Sequence, residues 1–162
     1  PINLAGPSPK HLNNEIDNIA IPADGAINQD HINQCPGRKS KSRQYEFFIY
    51  LGKRKHKKSM ELGRALVSQD ISMISLLYPL TEFFQELLFH KIFRGTNRVK
   101  MGYTRLSPSV NKQLGNYANQ YSSKEITLAL KRLAHIDKQL KSSRIKDESA
   151  ITEFVYATVY NG

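Results

Sequence analysis

The residues that could take part in acid–base or metal chemistry are few and widely spaced. The histidines never fall at the spacings that build a metal site: His11, His31, His56, His90 and His135. His135 and Asp137 are close in sequence, but side chains two positions apart on a helix face different directions, so they do not form a general-base pair. Cys35, the only cysteine, has no evident activating neighbour and cannot form a disulfide within the chain. The sequence predicts neither a metal site nor a catalytic dyad.

A nucleotide-binding loop is also missing from the sequence. The stretch YLGKRK places Gly52 before Lys53. It lacks the earlier glycine of a phosphate-binding loop and the hydroxyl residue that would bind magnesium. We therefore expect no cofactor and no enzymatic activity.

The densest charge in the chain is a short basic run. Its basic residues are Lys53, Arg54, Lys55, Lys57 and Lys58. Three interpretations are open. The run contacts nucleic-acid phosphates without reading bases, because no amide or aromatic side chain is interleaved. It is a nuclear address, for which the compositional signal is weak. Or it is a solvated turn, with Gly52 ending one helix and the next beginning near Lys57.

Composition limits the possible classes of protein. The chain has 162 residues, 40% of them hydrophobic and 23% charged, which suits one domain, or one domain plus a fragment of another. The net charge is +10, and the segment from Arg38 to Arg64 alone carries +8, so the basic character belongs to one segment. No apolar run reaches the roughly 20 residues of a membrane span, and no secretory signal begins the sequence. With one cysteine, we expect a reducing, cytoplasmic setting. Since the sequence begins at Pro1 and not at an initiator Met, we expect it to come from a longer chain.

Helical periodicity runs through the first two thirds of the sequence. Ser8 and Asn28 are the expected caps of two early helices, and CPGRKSKSR is the expected turn after them. Asp70 is the expected cap of a long apolar helix, which Pro79 should kink or break. The predicted helices span 9–21, 26–35, 45–51, 57–68 and 70–94.

The last third has clearer helix signals. Ser107 and Pro108 open a helix that runs to about Gln120. Ser122 and Glu125 form a capping box. The helix after this box carries an apolar stripe of Ile126, Leu130, Leu133, Ile136 and Leu140. The final helix, with Asp147 as its expected cap, has a face made of Ile151, Phe154, Val155 and Thr158. No alternating strand pattern is found, so the predicted fold class is all-α.

The order of these features resembles the delta subunit of the bacterial DNA polymerase III clamp loader. The most specific segment is LALKRLAHIDKQLKSS, followed by a short loop and the final helix DESAITEFVYATV. QYEFFIYLGKRKHKKSMELGRALVSQ is similar to that family's paired short helices, and ISMISLLYPLTEFFQELLFHKIF to its long apolar helix. Upstream, SPKHLNNEIDNIAI and GAINQDHINQC are similar to the end of its second domain. The chain departs from the family in its more basic turn and in Phe83, Phe84 and Gln85, where the family commonly has Arg.

The resemblance implies a domain organisation and a set of partners. Residues 1–37 would be the C-terminal remnant of an AAA+-like lid domain, and residues 45–162 a helical collar domain that oligomerises. The collar would bind the motor subunits and the delta-prime subunit, and so support loading of the sliding clamp onto DNA. The clamp itself would be contacted only by an N-terminal region outside this sequence. The parent complex would carry DNA polymerase activity and contact DNA, in the bacterial cytoplasm at the nucleoid and away from any membrane.

Two questions about contact residues stay open at this stage. Leu128, Tyr156 and Tyr160 lie off the main stripes of their helices, so they are candidates for a subunit interface. Alternatively, each completes the domain's own core or is incidentally exposed. The resemblance places DNA mostly below the collar, which favours the solvated-turn interpretation of the basic run. The alternative function is a free-standing basic helical module that binds nucleic acid non-specifically through phosphates.

Overall fold

Six α-helices form the described part of the chain, residues 36–93 and 104–160 of a computed structural model. Two of them continue into five-residue π-helical turns, Leu66–Asp70 and Tyr156–Tyr160. These ranges contain no strand, so the all-α prediction is confirmed. The helices in chain order are α1 (Pro36–Gly52), α2 (His56–Ala65), α3 (Met73–Ile92), α4 (Pro108–Ala118), α5 (Ser123–Lys141) and α6 (Asp147–Val155).

The chain divides into two compact units, Pro1–Lys41 and Ser42–Gly162. In the first unit the structure describes only the start of α1. The two early helices predicted with Ser8 and Asn28 as caps, and Cys35, lie outside the described residues. The division into a remnant at 1–37 and a domain at 45–162 stays a prediction.

Helix α1 begins earlier than the sequence predicted. A turn was expected over 35–43 and a helix from Tyr45, but the helix starts at Pro36. Proline suits the first helical turn because its missing N–H would have no partner there. The Lys and Arg residues that follow are good helix formers. The turn prediction was therefore wrong, because the Pro-Gly pair opens a helix instead of closing one.

Helix α3 is the centre of the second unit and packs against α4, α5 and α6. Phe83 and Phe84, at positions where the family commonly has Arg, have no solvent exposure. The Phe84 ring lies 5.8 Å from the rings of Tyr121 and Phe154, and Phe83 lies 5.3 Å from Phe48. These edge-to-face and tilted contacts are the favoured aromatic geometries. Where the family commonly has Arg, this chain therefore has two phenylalanines that form part of a buried aromatic core.

The predicted N-cap of α3, Asp70, is wrong. Ser72 caps the helix by accepting a hydrogen bond from the Ser75 N–H, whereas Asp70 forms an ion pair with Arg43 at 2.8 Å. Helix α3 runs unbroken past Pro79, which is buried, so the predicted break does not occur. One proline removes a single backbone donor, and the buried apolar face on both sides of it supports the helix.

Asp147 also differs from its predicted role. It is the first residue of α6, after Lys146 as cap, and its carboxylate accepts a hydrogen bond from the Met73 N–H at 3.0 Å. Asp147 therefore satisfies one of the free donors at the start of α3. A residue predicted to cap its own helix caps a distant one.

Other local signals are confirmed. Ser107 caps α4 with Pro108 in the first turn, and the capping box of Ser122 and Glu125 is complete. The predicted stripe of α5 is buried at Ile126, Leu133 and Ile136 and half-buried at Leu130 and Leu140, and the predicted face of α6 is buried throughout. Within residues 36–93 and 104–160, none of the helices is long and apolar enough to cross a bilayer.

Gly52 allows α1 to approach α4 closely. A Cβ atom at this position would lie 2.4 to 2.7 Å from ring atoms of Tyr117, well inside van der Waals contact. Glycine is therefore needed here for space.

Candidate functional site

The basic run forms the turn between α1 and α2. The Arg54 N–H donates to the Leu51 carbonyl, and the Lys55 N–H donates to the Tyr50 carbonyl. These two bonds define a Schellman motif, in which the residue after the helix adopts a left-handed conformation that glycine usually supplies. Here Arg54 occupies that position with φ of 58°. A left-handed arginine costs about 1–2 kcal/mol relative to glycine, a cost that side-chain contacts can offset.

The Arg54 guanidinium supplies those contacts with Glu125. Its two terminal nitrogens donate to the two carboxylate oxygens of Glu125 at 2.6 and 3.0 Å, a bidentate pair. It also donates to the Gln120 carbonyl at 2.8 Å and lies 4.8 Å above the Tyr121 ring. Arg54 is therefore mostly covered by protein, which separates it from the rest of the basic run.

The ion pair shifts the titration of both partners. The hydrogen bond to Glu125 raises the pKa of Arg54, and the hydrogen bond from Arg54 lowers the pKa of Glu125. Beneath them, the buried Tyr121 hydroxyl donates to the Leu51 carbonyl at 2.5 Å, and burial raises the pKa of that phenol. At neutral pH the pair is fully charged and the phenol is neutral.

The four lysines of the run remain on the surface. Lys53, Lys55, Lys57 and Lys58 are all exposed, which both the solvated-turn and the phosphate-contact interpretations require. Lys58 forms a loose pair with Glu61 at 3.5 Å, between two largely exposed side chains, and such a pair contributes little. Phosphate contact by the run stays a prediction. In this structure its fifth member, Arg54, is committed to Glu125.

An exposed aromatic cluster lies at the end of the second unit. The rings of Tyr156 and Tyr160 stack with centroids 5.1 Å apart, and the side chains are 47% and 61% exposed. The ring of His56, from the start of α2, lies 5.0 Å from Tyr160. Sequence reasoning singled out both tyrosines but not His56, because nothing local links the start of α2 to the chain's end.

Leu128, the third candidate interface residue, is 38% exposed on α5 and lines a groove between α5 and α6. The groove has a volume of about 350 Å³. Its apolar lining is Leu128, Ile136, Phe154 and Ala157, and its polar lining is Lys131, Arg132, His135, Gln139 and Glu153. The structure thus presents two neighbouring features on the final helices, an aromatic cluster and an apolar groove.

Acid–base chemistry finds no support in the geometry of the described residues. His135 is exposed, and Asp137 pairs with Lys141 at 2.9 Å. Within residues 36–93 and 104–160, no three histidine, cysteine or carboxylate side chains are grouped so that they could hold a metal ion. The surface of the described residues consists of helix faces with exposed charged and apolar side chains.

An all-α bundle with an exposed aromatic cluster and a basic turn has the features expected of a helical interaction domain. The family model for the DNA polymerase III delta subunit, C-terminal domain, matches residues 42–158. The chain therefore belongs to this family of clamp-loader components. No curated protein and no solved structure matches the chain.

Proposed function

We propose that this domain is the structural, oligomerising part of a clamp-loader delta subunit. It binds the motor subunits and the delta-prime subunit through helix faces and carries out no chemistry itself. By holding the loader together it supports loading of the sliding clamp onto DNA in the bacterial cytoplasm. The clamp is contacted by another region of the delta subunit. The observation that carries this proposal is the family match over residues 42–158.

The exposed aromatic cluster supports the proposal. Tyr156 and Tyr160 are large side chains with about half of their surface in water, stacked so that little conformational freedom remains to be lost on binding. Tyrosine is among the residues that dominate interface energies. The cluster therefore suits contact with a partner helix.

Replacing both tyrosines tests this proposal. We expect Tyr156→Ser with Tyr160→Ser to weaken binding to the motor subunit of the same organism about tenfold or more, because interface tyrosines contribute roughly 1–2 kcal/mol each. Isothermal titration calorimetry measures the affinity, and thermal unfolding checks that the variant folds. Tyr78→Ser, at a tyrosine that is 57% exposed on α3, is the matched control. Equal losses for the variant and the control would contradict the role of the cluster.

The exposed lysines favour a second candidate function, non-specific binding of nucleic-acid phosphates. Each neutralised phosphate contributes about −0.9 to the slope of log affinity against log salt. If Lys53, Lys55, Lys57 and Lys58 bind phosphates, replacing all four by Ser reduces that slope by about 3 to 4. The control replaces four exposed lysines elsewhere: Lys112, Lys124, Lys138 and Lys146. An unchanged slope in the first variant would remove this candidate.

A further inference from the structure

The groove between α5 and α6 has an apolar floor. Phe154 and Ile136 are almost fully buried, while Leu128 stands at the groove's edge with 38% of its surface exposed. A volume of about 350 Å³ between two helices is enough to receive side chains from outside. The shape favours a third helix, since ridges of side chains fit between two packed helices.

The rim of the groove is predominantly basic. Lys131 and Arg132 lie on it together with His135, against one acidic side chain, Glu153. Neither Lys131 nor Arg132 takes part in any ion pair formed among residues 36–93 and 104–160. Two unpaired cations beside an apolar floor are complementary to a segment that is apolar on one side and acidic on the other.

The rim residues on α5 follow one helical stripe. Leu128, Arg132, His135 and Gln139 recur at spacings of three and four, so the stripe extends about 16 Å along the helix. This length corresponds to about three turns of a partner helix. The arrangement matches the helix-in-groove mode, in which anchors at helical spacing enter an apolar groove.

From these features we infer that the α5–α6 groove binds an acidic amphipathic helix of a partner subunit. The apolar face of that helix covers Leu128, Phe154 and Ala157, and its carboxylates lie beside Lys131 and Arg132. This inference rests on the proposed function, because it names the chemistry of the segment that a sister subunit contributes.

Charge reversal at the rim tests the inference in the assembled complex. Lys131→Glu with Arg132→Glu weakens binding to the sister subunit that holds the helix about tenfold, since two attractions become repulsions. The matched control is Lys124→Glu with Lys138→Glu, an identical charge change at exposed positions of α5 outside the groove, and it changes affinity less than about twofold. Equal effects of the two double variants on an intact complex would overturn the inference and leave the proposed function standing.

A peptide probe tests the groove independently of the sister subunits. The probe is a synthetic helical peptide with Leu at alternating spacings of three and four and Glu at the other positions. The control peptide has Lys in place of every Glu. Fluorescence anisotropy should detect binding of the Glu peptide alone, with about tenfold loss in the rim variant and a similar loss in Leu128→Ser. Two results would overturn the inference even if the sister subunits assemble. Either both peptides bind equally well, or the rim variant and Leu128→Ser bind the Glu peptide as tightly as the wild type does.

Discussion

Arg54 connects the turn after α1 to the start of α5. Its backbone occupies the left-handed position of the Schellman turn after α1, and its side chain pairs with Glu125 at the start of α5. Replacing Arg54 by another residue is therefore unfavourable, because the position requires both a left-handed backbone and a long cationic side chain. The capping box adds to this arrangement, since Glu125 also accepts a hydrogen bond from the Ser122 N–H at 2.7 Å. One carboxylate thus serves a helix start and an ion pair at once.

Glu125→Gln isolates the ion pair from the cap, because glutamine can still accept at the capping position. We expect the substitution to lower the free energy of unfolding by about 1–2 kcal/mol near neutral pH. Urea unfolding measures this. Glu148→Gln, which removes a charge from the more exposed pair with Arg64, is the control and should cost less than about 0.5 kcal/mol.

The same pair predicts a pH dependence. The pKa of Glu125 is lowered in the folded state from its ordinary value of 4.5. Its stabilising contribution is therefore present above about pH 4.5 and is lost as the pH falls through the lower folded-state pKa. The stability difference between wild type and Glu125→Gln should shrink below about pH 4.5. A constant difference down to about pH 2 would contradict the assignment.

The sequence could not predict the roles of Arg54 and Asp147, for one physical reason. Each side chain binds a backbone or carboxylate group about seventy positions away, and periodicity or capping patterns describe only neighbours within a turn or two. From sequence alone, Arg54 is one member of a basic run and Asp147 is the expected cap of its own helix. Only the packing of the helices brings their actual partners into reach.

At the scale of helices, local signals predicted α4 and α5 well and α1 poorly. The capping box and the stripe through Ile126 and Leu133 depend on spacings of three and four, which are visible in sequence. The start of α1 at Pro36 was missed because a Pro-Gly pair can precede a helix as well as follow one. Tyr156 and Tyr160 lie off the apolar face of the final helical segment, as their spacing indicates, and they are exposed; their contact with a partner stays a prediction.

The contact between α1 and α4 depends on a glycine. In Gly52→Ala the new methyl group would meet the base of the Tyr117 ring, which is buried and cannot swing away. We expect a loss of about 1–3 kcal/mol in unfolding free energy, the usual range for overpacking. Thermal or urea unfolding measures the loss.

Gly115→Ala is the matched control for this substitution. Gly115 lies inside α4, and the nearest atom to a new Cβ would be a His90 ring nitrogen at 3.9 Å. Alanine should therefore stabilise α4 by up to about 1 kcal/mol through helix propensity. If both variants lost stability equally, the loss in Gly52→Ala would not be specific to the contact with Tyr117, and close packing would not explain the glycine.

At the scale of the whole molecule, the basic run and the final helices suit different partners. The four exposed lysines suit binding to phosphates, and high salt weakens such binding strongly. The stacked tyrosines and the apolar groove suit binding to partner helices, and salt changes the affinity of such binding little. Family membership over residues 42–158 gives greater weight to the second kind of partner. We propose that this domain works by burying apolar helix surface against sister subunits.

The salt dependence of wild-type binding tests that claim most directly. The affinity for the motor subunit is measured by calorimetry from about 0.1 to about 1 M NaCl, beside the affinity for duplex DNA. We expect subunit binding to weaken no more than about tenfold, the contribution of the groove's rim, while any phosphate binding through four lysines falls about a thousandfold or more. Absence of subunit binding at every salt concentration, with DNA binding that disappears at high salt, would show instead that the domain is a nucleic-acid-binding module.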